Sequence, residues 1–238
     1  MGAVTCSAML TVIIPTLNAQ AGIKRTLASL HAGLESGLVQ ELIVVDGGSN
    51  DGTQRIVEEA GARVVVAERG RGKQLRTGAE EARRADGDWF LFLHADTALE
   101  DGWADEVERF ITAQSASQPV AAVFRFALDD SAARARIMER LVALRCEALG
   151  LPYGDQGLLI SFAHYRDTGG YTDMPLMEDV DIVRRIGRKN LTFLKSRAVT
   201  SAVRYQKYGY ILRAVRNLMC LTLYFLRVPP RVLVRLYG

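Results

Sequence analysis

The chain has 238 residues, of which 49% are hydrophobic and 24% are charged. This balance excludes a disordered or fibrous chain, and the length is sufficient for a full hydrophobic core. The net charge of +3 conceals an uneven distribution, because residues 182–238 contain 13 basic residues and no acidic residue. Such asymmetry indicates an anionic partner for the C-terminal segment, either nucleic acid or an anionic membrane surface.

The N-terminal half alternates short apolar runs with amphipathic stretches. Strands are predicted over residues 10–14, 42–45, 63–67 and 89–93, with helices over 23–34, from Thr53 onward, and over 73–84. This alternation is typical of a mostly parallel sheet flanked by helices, so we predict an α/β fold. The phosphate-binding loop of ATPases and the GxGxxG motif of dinucleotide-binding enzymes are both absent, which argues against those two classes.

The C-terminal half contains a predicted strand over 121–128, a long helix over 132–149 and a strand near 191–194. From residue 205 onward, basic residues are interleaved with apolar ones, which favours a membrane interface over nucleic acid. The apolar run at 218–226 is too short to span a bilayer, which needs about 20 residues. The alternative is a helical segment that packs on the domain with its basic residues in water. We predict a catalytic domain at 1–205 and a basic amphipathic helical tail at 206–238, divided by Pro229 and Pro230.

Acidic residues follow two of the predicted strands. Asp46 closes the strand at 42–45, and Asp96 follows the strand at 89–93. Because ligands bind at the carboxyl ends of strands in open α/β sheets, both acids are expected at one binding edge. A third acidic cluster, Glu178 and Asp179, lies far downstream. Three separate carboxylate groups suit a divalent cation, a phosphorylated donor and a proton acceptor, and this combination indicates a transferase.

Six short segments, in this order and spacing, resemble the family 2 glycosyltransferases. They are VIIPTLN at 12–18, LIVVDGGSNDGT at 42–53, GRGKQLRTGAEEA at 70–82, FLFLHAD at 90–96, GGY at 169–171 and MEDVDIVRR at 177–185. The resemblance covers about residues 10–205, and the HAD and GDQG variants are most similar to the small subgroup of carotenoid-lipid (diaponeurosporenoate-type) glycosyltransferases. It implies a GT-A fold, a nucleotide-sugar donor, a divalent metal, Mn²⁺ or Mg²⁺, and inversion at the anomeric carbon.

The resemblance also implies roles for individual residues. Asp179 would be the base that accepts the proton of the acceptor hydroxyl, with Glu178 orienting the loop or contacting the acceptor. Asp46 stands where the family recognises the nucleoside, and Arg204 is similar to a family residue that contacts the diphosphate. His94 replaces an aspartate that the family has two positions before Asp96. It is either a metal ligand or a residue that orients the loop.

The chemistry of the reaction suggests the remaining site residues. A diphosphate leaving group gains negative charge, which a cation held by Asp96 would stabilise. Pro15, Thr16 and Asn18 are expected to line the donor pocket. Arg71 or Lys73 would contact the diphosphate, unless their loop is only a solvated basic segment. Asp155 and Gln156, on a loop flanked by glycines, are expected to bound the acceptor pocket.

These observations predict a metal-dependent, inverting glycosyltransferase that moves a hexose to a hydroxyl or carboxyl of a lipid-like acceptor. The alternatives are a nucleotidyltransferase and a non-catalytic protein that binds sugar nucleotides. The chain lacks the basic segment and apolar core of a secretory signal, so the catalytic part is expected in the cytoplasm, peripheral on the inner face of the cell membrane. A nucleic-acid partner is not expected.

Overall fold

The computed structural model describes residues 9–82, 88–114 and 120–237. Its strands are β1 (Leu10–Thr16), β2 (Val39–Asp46), β3 (Arg63–Val66), β4 (Trp89–Phe92), β5 (Thr97–Leu99), β6 (Ala121–Leu128), β7 (Leu158–Ser161) and β8 (Leu191–Thr200). Its helices are α1 (Gln20–Ser29), α2 (His31–Glu35), α3 (Thr53–Glu59), α4 (Arg71–Glu81), α5 (Trp103–Ala113), α6 (Ala133–Leu149), α7 (Phe162–Asp167), α8 (Glu178–Ile186), α9 (Val203–Tyr208), α10 (Tyr210–Phe225) and α11 (Pro230–Tyr237).

The strands of the described residues form one sheet in the order β3-β2-β1-β4-β7-β6-β8-β5. The N-terminal strands β1 to β4 pair in parallel, as does β6 with β8. By contrast, β7 runs antiparallel to both β4 and β6, and β5 runs antiparallel to β8. The predicted α/β fold with a mostly parallel sheet is therefore confirmed. The parallel register brings Thr16 beside Asp46, so β1 and β2 end at one edge of the sheet.

Helices cover both faces of the sheet, and the alternation of side chains along β1 divides the core in two. Val12 and Ile14 belong to a cluster that α1, α3 and α5 cover, whereas Ile13 belongs to a second cluster that α4 and α8 cover. Because successive side chains of a strand point to opposite faces, a strand buried on both faces is apolar throughout. This explains why β1 reads as a continuous apolar run.

Several elements differ from the prediction. The strand predicted at 191–194 continues to Thr200. The helix predicted at 73–84 spans Arg71–Glu81, and the last two residues of the prediction lie outside the described residues. The strands β5 and β7 were not predicted; the three residues of β5 are too few to show a period, and β7 has only four. The two proline residues at 229 and 230 separate α10 from α11, as predicted.

The C-terminal helices pack against the rest of the molecule. Cys220 and Leu221 of α10 and Leu233 of α11 are buried in the second core cluster. Tyr210, at the start of α10, packs in a third cluster with Met138 of α6. Among the described residues, no helix is both long enough and apolar enough to cross a membrane. The boundary at residue 205 remains a prediction, although the segment beyond it contributes to the common core.

Candidate active site

A cleft of about 750 Å³, including its open mouth, lies beyond the carboxyl end of β4. Three groups of side chains line it: four acids with one histidine, three arginines, and polar and apolar residues from α9, α10 and the loops. The acidic and imidazole groups are Asp96, Asp155, Glu178, Asp179 and His94, and the arginines are Arg71, Arg204 and Arg213. The structure thus brings Asp96 together with Glu178 and Asp179, which lie up to 83 positions further along the chain, whereas Asp46 is not part of the wall.

His94 and Asp96 reach the cleft because β4 ends two residues before the histidine. The backbone of Asp96 is held by its carbonyl, which accepts a hydrogen bond from the Ser201 amide at 3.0 Å. Burial lowers the pKa of His94 well below its usual value, and the charges of Arg71 and Arg204 act in the same direction. The imidazole is therefore neutral at pH 7, which leaves a nitrogen lone pair for a cation or a hydrogen-bond donor.

Gly154 and Asp155 form the next part of the wall, in a short turn over Gly154–Gln156. A Cβ atom at residue 154 would lie 2.6 Å from Nε2 of His94, so only glycine allows the turn to approach the imidazole this closely. The Oδ1 atom of Asp155 is buried and has no hydrogen-bond partner among the described residues. Burial raises the pKa of Asp155 to about 6, an effect that Arg145 opposes and that the charges of Asp179 and Asp96 increase.

Glu178 and Asp179 begin α8, and the residue before them has an unusual backbone conformation. Met177 has a φ of 68°, in the left-handed region that residues with a side chain rarely adopt. Such conformations persist where the surrounding structure imposes them, and they concentrate at functional sites. At Asp179, Oδ2 accepts a hydrogen bond from the Gly154 amide at 2.7 Å, and Oδ1 accepts one from the Val180 amide at 2.7 Å.

Glu178 lines the cleft beside Asp179 but is only 1% exposed. Its carboxylate pairs with Arg71 at 3.4 Å, so this acid holds the arginine at the cleft wall. Burial raises the pKa of Glu178 to about 7, against the attraction of Arg71 and with the repulsion of Asp179. Glu178 is thus placed to position Arg71, whereas the carboxylate of Asp179 is bonded only to backbone amides among the described residues.

Asp46 lies outside the cleft wall and organises the loop after β2. Its carboxylate accepts hydrogen bonds from the Thr16 hydroxyl at 3.1 Å, the Ser49 amide at 2.8 Å and the Gln54 side chain at 2.8 Å. Burial works to raise the pKa of Asp46, but these hydrogen bonds outweigh it and the pKa is lowered. The carboxylate is therefore ionised and already well bonded, which favours a loop-shaping role. Nucleoside recognition by Asp46 stays a prediction.

Other predicted residues also lie outside the cleft wall. Asn18 joins the β1 and β2 loops, because its side-chain oxygen accepts a hydrogen bond from the Asn50 amide at 3.0 Å. Pro15 pairs with Val45 within the sheet. Lys73 lies in the first turn of α4 rather than in a loop, and it forms ion pairs with Glu68 and Asp173 on the surface, so its placement gives no support to a diphosphate contact.

Gln156 points into the core rather than into the cleft. Its side-chain nitrogen donates to the carbonyl of Phe124 at 3.0 Å, and its oxygen accepts a hydrogen bond from the thiol of Cys146 at 3.2 Å. The side chain therefore has polar partners inside the protein, and it is only 2% exposed. The predicted contact of Gln156 with the acceptor consequently has no support from its placement, whereas Asp155 beside it does line the cleft.

The prediction of site residues missed several that line the cleft. They are Tyr153, Leu176, Met177, Thr200, Ser201, Tyr205, Arg213 and Asn217. One signal could have found the two residues of α10. Arg213 and Asn217 are four positions apart in an apolar helix, so they share one face, and a polar pair at that spacing marks a face that is not simply core.

The acidic part of the cleft is compatible with a divalent cation. No group of three or more His, Cys, Asp or Glu side chains forms a complete metal site within residues 9–82, 88–114 and 120–237. However, Asp155 has a buried oxygen without a partner, and Asp96 contributes to the negative charge around it. Magnesium-type sites often use one or two carboxylates and take their remaining ligands from substrate phosphates and water. The residues present fit a cation of that kind.

A family model described as Glycosyl transferase family 2 matches residues 11–157. Among curated proteins, the chain is similar to glucosyl-3-phosphoglycerate synthase of Mycobacterium tuberculosis, with 37% identity over 93 residues. This similarity covers 37% of the chain and 28% of the relative, so the chain matches less than a third of the relative's length. This relative is not a carotenoid-lipid transferase, and the narrower resemblance stays a prediction.

Solved structures share the fold at low sequence identity. The structure of M. tuberculosis glucosyl-3-phosphoglycerate synthase with Mn²⁺ and UDP-glucose has a TM-score of 0.55 and 22% identity, covering 82% of this chain and 70% of that one. Residues 1–349 of TarS from S. aureus give a TM-score of 0.59 and 16% identity, covering 87% and 64%. These structures support the GT-A fold that the sequence motifs implied.

Proposed function

The chain belongs to glycosyl transferase family 2, and from that membership we propose that it transfers a hexose from a nucleotide-diphosphate sugar to a hydroxyl or carboxyl of an acceptor. The observation that carries this proposal is the convergence of Asp96, Asp155 and Asp179 on one cleft that also contains arginines. Carboxylates alone would suit a cation site, and arginines alone would suit an anion site. Their combination suits a phosphorylated donor and a proton-transfer step.

We propose that Asp96 and Asp155 hold a divalent cation, with neutral His94 as a further ligand or hydrogen-bond acceptor. When bound, the cation would stabilise the negative charge that develops on the leaving diphosphate. Arg71 and Arg204, whose charges are felt at His94, would contribute to the same stabilisation. Among the relatives, glucosyl-3-phosphoglycerate synthase has been solved with Mn²⁺ and a UDP-sugar, which supports this choice of cation and donor class.

Asp179 is the base that we propose for the acceptor. Its two carboxylate oxygens each accept one backbone hydrogen bond, which fixes the orientation of the group and leaves lone pairs for a proton. The acceptor hydroxyl would lose its proton to Asp179 as its oxygen attacks the anomeric carbon, and the bond to the diphosphate would break. One displacement of this kind inverts the configuration at that carbon. Family membership argues against the nucleotidyltransferase alternative.

We further propose that the acceptor is lipid-like, because α10 has a second, solvent-exposed apolar face. This outer face consists of Ile211, Leu212, Val215, Leu218 and Met219, all at least 40% exposed. Residues at these spacings lie on one side of a helix, and α6 exposes Ile137, Leu141 and Leu144 nearby in the fold. Exposed basic residues flank them, including Arg140 and Lys207. An apolar face with a basic border suits an anionic membrane surface.

The experiment that tests the transferase is incubation of the full chain with a panel of radiolabelled nucleotide sugars, Mn²⁺ and a membrane lipid extract. We expect transfer or donor hydrolysis with one of the sugars, and loss of it in a chelator. Asp179→Asn should lower turnover about 100-fold or more, with nearly unchanged donor binding in calorimetry. Asp181→Asn is the matched control, since Asp181 belongs to the same motif but pairs with Arg185 outside the cleft.

A protein that binds a nucleotide sugar without transfer or hydrolysis would support the non-catalytic alternative instead. Full activity in the chelator would contradict the cation at Asp96 and Asp155. Weak donor binding with normal turnover at saturation in Asp179→Asn would contradict the role of that residue as base.

A further inference from the structure

The helix α10 contributes one face to the cleft. Arg213 and Asn217 are one turn apart and both line the cleft, beside Tyr205 from α9. The guanidinium of Arg213 lies over the ring of Tyr205, 5.3 Å from its centre, and this contact holds the charged group at the wall. The same helix therefore buries one face in the core, exposes an apolar outer face, and presents a polar inner face to the cleft.

The side chain of Asn217 has an unsatisfied hydrogen-bond acceptor. Its Oδ1 is buried and has no hydrogen-bond partner among the described residues. A buried acceptor without a partner is costly, because the atom has lost its hydrogen bonds to water without replacing them. Native proteins keep few such atoms, and those that line a cleft are explained when a bound molecule donates the hydrogen bond. A hydroxyl group of a ligand in the cleft would supply the missing hydrogen bond.

The charge of the inner face is positive. No acidic residue follows Asp181 in the sequence, so α10 itself brings positive charge only. The acids of the cleft come from other elements: the loop after β4, the Gly154–Gln156 turn and α8. Donor and acceptor need different parts of this cleft, and Arg71 and Arg204 are the arginines whose charges act on His94, beside Asp96. The α10 wall is consequently left for the acceptor.

We infer that Arg213 and Asn217 form an acceptor subsite for a molecule with an anionic group next to a hydroxyl, such as a phosphate or carboxylate on a polyol. The guanidinium would bind the anion, and Oδ1 of Asn217 would accept the hydrogen bond of the hydroxyl. A second hydroxyl of the same molecule would then be available to Asp179. This inference rests on the proposed function and defines its acceptor. The same chemistry occurs in lipid head groups and in free phosphorylated polyols.

Binding of two probes that differ only in the anion tests the subsite. We expect the full chain to bind glycerol 3-phosphate at least tenfold more tightly than glycerol in titration calorimetry. Asn217→Asp adds a negative charge at constant size and should reduce that preference at least fivefold, as should Arg213→Gln. Arg213→Lys, which keeps the charge, should restore part of it. Arg216→Gln is the matched control, because Arg216 lies on the same helix but is not part of the cleft wall.

A second pair of probes identifies the source of the anion. Vesicles of phosphatidylglycerol are compared with phosphatidylcholine vesicles that contain a monoacylglycerol, which has similar hydroxyls without the phosphate. If Asn217→Asp weakens binding to the phosphatidylglycerol vesicles, a lipid supplies the anion, and if it weakens only glycerol 3-phosphate binding, a free phosphorylated polyol does. Thermal unfolding checks that each variant is folded, and Arg213→Lys provides a second variant if Arg213→Gln is not.

Equal binding of phosphorylated and neutral probes, in both pairs, would overturn the inference. It would also be overturned if Asn217→Asp and Arg213→Gln both kept the full wild-type preference for glycerol 3-phosphate over glycerol. The donor panel is run separately on the wild-type chain. Preference for the phosphorylated probe without use of any nucleotide sugar would therefore count against the proposed function alone. Sugar transfer without that preference would count against the subsite alone.

Discussion

At the scale of single residues, the cleft concentrates acids that destabilise the fold. Asp155 and Glu178 both have raised pKa values because they are buried, and each lies near another carboxylate. A domain that needed only stability would not require such groups, since removing a carboxylate from water costs free energy even where, as for Glu178, an arginine lies nearby. Their presence in one cleft agrees with a functional use of the charge, and perturbed pKa values of this kind cluster at active sites.

The pKa of Asp155 leads to a prediction on stability. Because this pKa is raised from 3.8 to about 6, the folded state binds more protons than the unfolded state within that range, and stability falls as pH rises through it. Removing the charge with Asp155→Asn should therefore stabilise the metal-free protein. We expect the gain to be larger at pH 8 than at pH 5, by about 1 kcal/mol, in urea unfolding with chelator present.

The matched control for this prediction is Asp101→Asn, which alters an exposed carboxylate outside the cleft. It should show no gain that depends on pH. A loss of stability in Asp155→Asn at pH 8 would mean that the carboxylate has a stabilising partner, and it would contradict the unpartnered oxygen on which the cation fit depends.

At the scale of elements, the packing of α10 bears on whether the C-terminal segment is a separate tail. The sequence allowed a tail separate from the catalytic domain, whereas the structure buries Cys220 and Leu221 in the core. The helix also presents Arg213 and Asn217 to the cleft. Removal of the segment after residue 205 is therefore a poor test of membrane binding, because the truncated chain would lose part of its core as well.

Two leucines of α10 test this packing. Leu221 is 4% exposed and Leu218 is 63% exposed, although they lie three positions apart. We expect Leu221→Ala to lower the free energy of unfolding by about 2–4 kcal/mol, because it removes buried methyl groups and leaves a cavity. Leu218→Ala should change it by less than about 0.5 kcal/mol, as is usual for surface positions. Urea unfolding of both variants measures the difference, and equal small effects would indicate a detached tail.

At the scale of the whole molecule, charge and apolar surface coincide at the C-terminal end. Residues 182–238 carry 13 basic residues and no acid. Among the described residues, most of the large exposed hydrophobic side chains lie on α6, α9, α10 and α11 or directly after α10. The helix α10 has its exposed apolar face on one side and its cleft-lining residues on the other. A membrane in contact with the outer face would therefore bring an acceptor close to the catalytic acids. This arrangement supports a lipid-like acceptor.

Membrane binding is predicted to depend on both features. We expect the full chain to sediment with vesicles that contain phosphatidylglycerol, more weakly as salt rises, because each basic residue near the surface contributes about 1 kcal/mol. Ile211→Asp and Leu218→Asp on the outer face should each reduce sedimentation severalfold. Leu34→Asp is the matched control, as Leu34 is an exposed leucine on α2. Wild-type binding in both outer-face variants, or no binding at low salt, would contradict a membrane role for this surface.

The sequence by itself determined the α/β class, the family and the acids at the strand ends. It did so because strands buried on both faces read as apolar runs, and because the residues after them, such as Asp46 and Asp96, stand at fixed positions relative to those runs. Glu178 and Asp179 were also identified from their motif. These signals are local, so they can be read along the chain without knowledge of the fold.

Only the tertiary structure decided which side chains share the cleft. The sequence gives no distance between Asp155 and Asp96, and it does not show that Gln156 points into the core while Asp155 beside it points out. Arg213 and Asn217 became site residues only because α10 packs on the same side of the sheet as α4 and α8. Contacts between distant segments depend on how the helices pack, and that is set by the whole core rather than by any one segment.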